Sequence, residues 1–132
     1  MSPWLEMLLR LLLAVALGAG IGYQRERAGK TAGLRTYILV SSGAALFTIA
    51  SIYGFSGAVD PSRVAAGVVV GIGFIGAGVI FRGEEGIEGI TTATSIWVTA
   101  ATGLAAGAGL YLISVITALI TIGILMIPKI RG

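Results

Sequence analysis

Glu84, Glu85 and Glu88 lie within five residues of one another in a Gly-rich loop, RGEEGIE. Magnesium takes oxygen ligands, keeps several waters and often uses only one or two protein carboxylates. The cluster is therefore a weak candidate metal site, since three acids in such a loop usually mean no more than a solvated loop. A second set is better placed. Arg35-Thr36 and Thr91-Thr92 each stand at the start of a long apolar run. Arg35 falls at a predicted helix N-terminus, where the macrodipole disfavours a cation. It is expected to pair with Glu26, Glu84 or Glu85, with a lipid phosphate, or with an anionic partner surface. Asp60-Pro61 suits a helix start, Asp as N-cap and Pro at the first position; an external cation ligand is the alternative for Asp60. The candidate polar site thus comprises Glu26, Arg35, Thr36, Asp60, Thr91 and Thr92. Arg10 stands one turn from Glu6 and is expected to reach outward and pair with it. The chain has no Cys and no His, which removes thiol nucleophiles, imidazole bases and the usual zinc and haem ligands. With no acid–base pair in a plausible pocket, an enzyme is not expected and no cofactor is implied, magnesium as a ligand excepted.

The elements that must position these residues are apolar. The chain is 56% hydrophobic and 11% charged, against roughly 25% charged in soluble domains. Between Arg63 and Arg82 run eighteen uncharged residues, five of them glycine. As a helix they reach roughly 27 Å, close to the hydrocarbon thickness of a bilayer. Apolar segments fall at 5–23, 34–54, 64–81, 91–107 and 110–127, with Gly107-Ala108-Gly109 as the turn between the last two. The hydroxyl-rich 91–107 segment has a re-entrant alternative. The expected fold is all-α, a single transmembrane domain over residues 1–132 with five membrane helices. The first segment is read as retained rather than cleaved, because Glu6 occupies the place of a basic n-region and Arg10 interrupts the apolar run.

Loop charge gives an orientation. Arg25, Arg27, Lys30, Arg35, Arg82, Lys129 and Arg131 fall on one side; Arg63, with Arg10 if it reaches outward, falls on the other. Cytoplasmic loops collect Lys and Arg, so the N-terminus is expected outside and the C-terminus inside. The opening segments also repeat faintly. Gly18-Ala19-Gly20 and Gly33-Leu34-Arg35-Thr36 recur as Gly76-Ala77-Gly78 and Gly89-Ile90-Thr91-Thr92, which suggests two parallel copies of a helical hairpin.

In lipid, small residues bring helices together. Ladders at spacing four run through Ala14-Gly18-Gly22, Gly67-Gly71 and Thr91-Ser95-Thr99-Gly103-Gly107, and Gly73-Ala77 adds a second small face to the third helix. That helix is expected at the centre of the bundle. Gly18, Gly22, Gly67, Gly71, Gly73, Gly76, Gly78, Gly103 and Gly107 are the expected packing positions, within one chain and between copies of a homodimer. A nucleic-acid partner is not expected, since the chain offers hardly any basic surface.

The runs GYQRERAGKTAGLRTYILVSSGAALFT, DPSRVAAGVVVGIGFIGAGVIFRG and GITTATSIWVTAATGLAAGAG resemble the MgtC/SapB family of bacterial membrane proteins, in order and spacing, from about Leu11 to Tyr111. The family motifs map onto Glu26, Gly33, Leu34, Arg35, Thr36, Asp60, Pro61, Gly71, Gly73, Gly76, Gly78, Thr92 and Trp97. Gln24 departs from the Glu common in the family. Many members continue into a soluble C-terminal domain, so this chain resembles a short member or a longer one from which that domain has been removed. The resemblance implies a multi-pass inner-membrane protein linked to growth at low magnesium and to survival of pathogens inside macrophages. It also implies action on the rotary ATP synthase rather than proven magnesium transport. A regulatory or accessory role in magnesium homeostasis is the favoured expectation, with a small-ion transporter or channel as the alternative and a scaffold as a third.

Overall fold

Small and hydroxylated residues decide where the helices of this protein meet. The computed structural model describes residues 2–55, 60–84 and 86–128. It contains α1 (Pro3–Arg27), α2 (Leu34–Tyr53), α3 (Ser62–Gly78), β1 (Phe81–Gly83), β2 (Gly86–Glu88), α4 (Ile90–Gly107) and α5 (Tyr111–Leu125). Ser2 caps α1, its Oγ accepting from the Leu5 N–H at 3.2 Å. Pro3 opens the helix, Glu6 lies in its first turn and Arg25 and Arg27 in its last, each sign where the helix dipole favours it. At roughly 37 Å, α1 is longer than a hydrocarbon core of about 30 Å, so its charged last turn can stand clear of the membrane.

The core faces are narrow and smooth. α1 buries Ala14, Gly18, Ile21, Gly22 and Arg25; α2 buries Tyr37, Ser41, Ala44, Ala45 and Thr48 among others; α5 buries Ser114, Ala118 and Thr121. α4 is buried over the widest arc, from Thr92 to Gly107, and packs against all four other helices. A Cβ on Gly103 would collide with the Ser41 carbonyl oxygen, and one on Gly107 would come within 2.6 Å of the Ala45 oxygen. On the other side of α2, a Cβ on Gly18 would lie 2.7 Å from the Tyr37 oxygen. Helix α2 is thus clasped by glycines of α1 and α4, backbone against backbone.

Large apolar side chains point the other way. Trp4 is 80% exposed, Phe74 79%, Leu112 74% and Leu39 70%. Soluble domains bury such residues and expose polar ones. The reverse order, hydroxyls within and Leu, Val and Phe without, is that of a protein whose surroundings are apolar. α1 and α2 are long and apolar enough to cross a membrane, while α3 and α5 are shorter apolar helices.

One expectation needs correction. The glycine-rich α3 is not central: it packs against α4 and slightly against α2, and Gly76 is its one buried residue. A Cβ added at Gly67, Gly71, Gly73 or Gly78 would meet nothing within 4 Å, so no neighbour in the chain requires glycine at these positions. The centre belongs to α4, because its hydroxyls can both close-pack and bond, whereas α3 interleaves its glycines with outward Val69, Val70, Phe74 and Ile75. The 91–107 segment is one continuous helix, and the loop after α3 is an antiparallel hairpin pairing Phe81 with Glu88.

Candidate functional site

The heptad-like face of α1 carries past its apolar part. Ala14, Gly18, Ile21 and Arg25 follow at steps of four, three and four, so continuing the helix turns Arg25 into the bundle. Arg25 is 3% exposed. Its Nη2 donates to Thr92 Oγ1 on α4 at 2.8 Å, and its Nε is buried without an acceptor among the described residues. Neighbouring Gln24 donates from Nε2 to the Leu125 carbonyl at 3.2 Å, tying the end of α1 to that of α5; its Oε1 is buried without a partner. Glu26 faces the turn between helices. Its Oε1 accepts from the Leu34 N–H at 3.0 Å and so caps α2, which has no side-chain cap of its own. A Cβ at Gly33 would collide with that carboxylate, which explains glycine there.

From Thr92 the polar line runs inward. Ser95 Oγ donates to the Thr92 carbonyl at 2.8 Å and shares a short hydrogen bond with the Tyr37 hydroxyl. Ser41 donates to the Ala14 carbonyl at 2.7 Å, joining α2 to α1. Thr94, Thr99 and Thr102 donate to carbonyls of their own helix. The interior hydroxyls are therefore engaged with backbone.

At the opposite end, Arg10 binds Glu6 as expected, Nε to Oε1 at 3.1 Å. It also reaches across the bundle: Nη1 donates to the Gly107 carbonyl at 3.0 Å, and the guanidinium lies 5.3 Å from the Tyr53 ring centre. The Tyr111 hydroxyl donates to Glu6 Oε1, bringing α5 into the same cluster. Asp60 belongs to this end. Its Oδ1 accepts from the Ser62 N–H at 3.0 Å and the Ser62 hydroxyl at 2.7 Å, while Ser51 of α2 donates to the adjoining Pro61 carbonyl. The Ser62 hydroxyl, and after it the Ser62 N–H, hold the Asp60 carboxyl below its usual range.

The candidate polar residues thus divide. Glu26, Arg35, Thr36, Thr91 and Thr92 gather at the end where α1 finishes and α2 and α4 begin; Asp60 caps α3 at the far end. Arg35 is exposed and forms no ion pair with Glu26 or Glu84, because Glu26 is engaged with the Leu34 N–H. Glu85 lies outside the described residues. Glu84 and Glu88 are exposed on the hairpin, and no group of three potential ligands is assembled among the described residues. Sequence reasoning missed Arg25, which it left in a loop; its spacing from Ala14, Gly18 and Ile21 was the available signal.

Two recesses open on this framework. A cavity of about 500 Å³ at the Arg25 end is walled by Arg25, Lys30, Thr31, Glu88, Thr91 and Thr92 together with apolar residues. An apolar groove of about 660 Å³ lies between α2 and α3, where Leu39 and Phe47 face Gly67 and Gly71.

The MgtC family profile matches residues 11–130. The chain is 46% identical over 127 residues to "Putative magnesium transporter YhiD" of Escherichia coli, covering 91% of this chain and 59% of that protein. It is 40% identical over 134 residues to protein SrpB of Synechococcus elongatus, covering 92% and 74%. Against protein MgtC of Brucella abortus it is 47% identical over 97 residues, covering 74% and 40%. No solved structure matches. The chain therefore spans about three fifths of the Escherichia coli relative and two fifths of the Brucella one.

Proposed function

The chain belongs to the MgtC family, and from that premise we propose that it is a multi-pass protein of the bacterial inner membrane with a regulatory or accessory role in magnesium homeostasis and adaptation to low magnesium. Five crossings, with the N-terminus outside and the C-terminus cytoplasmic, agree with the placing of Arg25, Arg27, Lys30, Arg35 and Arg82 at one end of the bundle. The observation that carries the regulatory reading is the use of the interior hydroxyls. Tyr37, Ser41, Ser95, Thr99 and Thr102 hold helices together or bond their own carbonyls. Their oxygens keep lone pairs, but a strongly hydrated divalent ion normally takes one or more carboxylates, and the described ones, Glu6, Glu26, Asp60, Glu84 and Glu88, stand at the ends of the bundle and not among these hydroxyls.

Action is then through partners. The ATP synthase is the membrane partner we assign, and a second copy of this chain is the other, met through the Gly67-Gly71 face of α3 that the bundle leaves open. The printed name of the Escherichia coli relative favours the other reading, magnesium transport. Inverted vesicles from cells grown at low magnesium test the synthase assignment. ATP-driven proton pumping should change when the protein is present, and the synthase should co-purify with it. Equal pumping with and without the protein, and no co-purification, would remove the synthase as its partner.

A further inference from the structure

The cavity beside Arg25 holds a charge that no described carboxylate pairs with. A guanidinium this deeply buried is costly unless a counter-charge is close, yet the one ion pair among the described residues is Arg10–Glu6. Thr92 Oγ1 takes Nη2, and Nε has no acceptor. The same walls add a second cation, Lys30, and the hydroxyls of Thr31, Thr91 and Thr92, which donate no hydrogen bond among the described residues. α4 also begins here. Its N-cap, Gly89, supplies no side-chain acceptor, so no side chain among the described residues caps the start of α4, where the positive end of the helix dipole lies. Glu88 is the one carboxylate of the wall among the described residues. Two cations, three hydroxyls and a helix start against one carboxylate make a surface of donors.

We infer that this cavity is a binding site for a phosphoryl group, carried either by a lipid headgroup or by free phosphate. A guanidinium fork matches phosphate oxygens in geometry and charge, and a helix N-terminus complements the same group. A bare divalent cation meets the wrong charge here. The cavity volume leaves room for whatever is esterified to the phosphate, against the apolar part of the wall. The site goes beyond the regulatory reading and stands with or without it.

The test uses the purified full chain in a maltoside detergent. Its phosphorus content is measured first, which detects a headgroup already bound. Thermal unfolding is then followed against inorganic phosphate and against dihexanoyl phosphatidylglycerol, with sodium chloride at matched ionic strength as the baseline. A saturable rise in midpoint with phosphate assigns the free anion; bound phosphorus, or a rise with the lipid alone, assigns the headgroup. Arg25→Gln should weaken the response about tenfold or more. Thr91→Val, at an exposed position with no bond to the fold, should weaken it severalfold and decides the matter if Arg25→Gln does not fold. No phosphorus and no rise in the folded wild type, or equal responses in wild type and variants, overturns the site as an adventitious ion only.

Discussion

Single residues at both ends of the bundle settle how helices begin and where charge is tolerated. Glu26 was legible as a partner for some cation, but its actual use is to cap α2 from the preceding helix, a relation that spacing along one helix cannot reveal. Arg10 with Glu6 was legible because the pair shares one helix face; the reach to the Gly107 carbonyl was not, because the two lie 97 positions apart. Arg25 escaped notice because a charged run reads as a loop, whereas a helix longer than the membrane carries its own periodicity outward. Asp60 gives a pH prediction at this scale. Its folded pKa is lowered, so its contribution is present above the usual carboxylate range and is lost as pH falls through the lowered value. Amide protection at Ser62–Val64, taken as exchange relative to the intrinsic rate at each pH, should therefore fall on acidification through that range in the wild type. In Asp60→Asn this pH dependence should be absent.

At the scale of elements, the five apolar runs foretold the five helices to within a few residues, because hydropathy and the Gly107–Gly109 turn are local properties. Which helix sits at the centre was not local. Glycine spacing marks a helix that can be approached closely, not one that is; α3 and α4 carry similar ladders, and only the α4 ladder meets a backbone. The distinction is measurable. Gly103→Ala should destabilise the protomer by about 1–3 kcal/mol through overpacking against Ser41, read as a lower unfolding midpoint in detergent. Gly71→Leu should leave that midpoint near wild type and abolish the dimer proposed for the wild type, read by light scattering. A protomer destabilised by Gly71→Leu, with the dimer intact, would contradict both the placing of α3 at the rim and its use as an interface.

For the whole molecule, the inverted distribution of residues suits apolar surroundings, and the charge asymmetry is the ground for the direction proposed above. The chain lacks cysteine, so single cysteines report topology cleanly. One at Ala28 should react with an impermeant thiol reagent only from the cytoplasmic side, and one at Ser62 only from outside; labelling of both from one side would contradict an odd number of crossings between them. The central claim is that this bundle is a packed body acting through partners rather than a conduit, and magnesium flux into proteoliposomes addresses it most directly. With folded wild-type protein, a Thr99→Ala variant and empty vesicles compared side by side, the account predicts flux at the level of empty vesicles in all three. Flux above that level, reduced by Thr99→Ala, would show that the hydroxyl-lined interior opens to the ion and would contradict it.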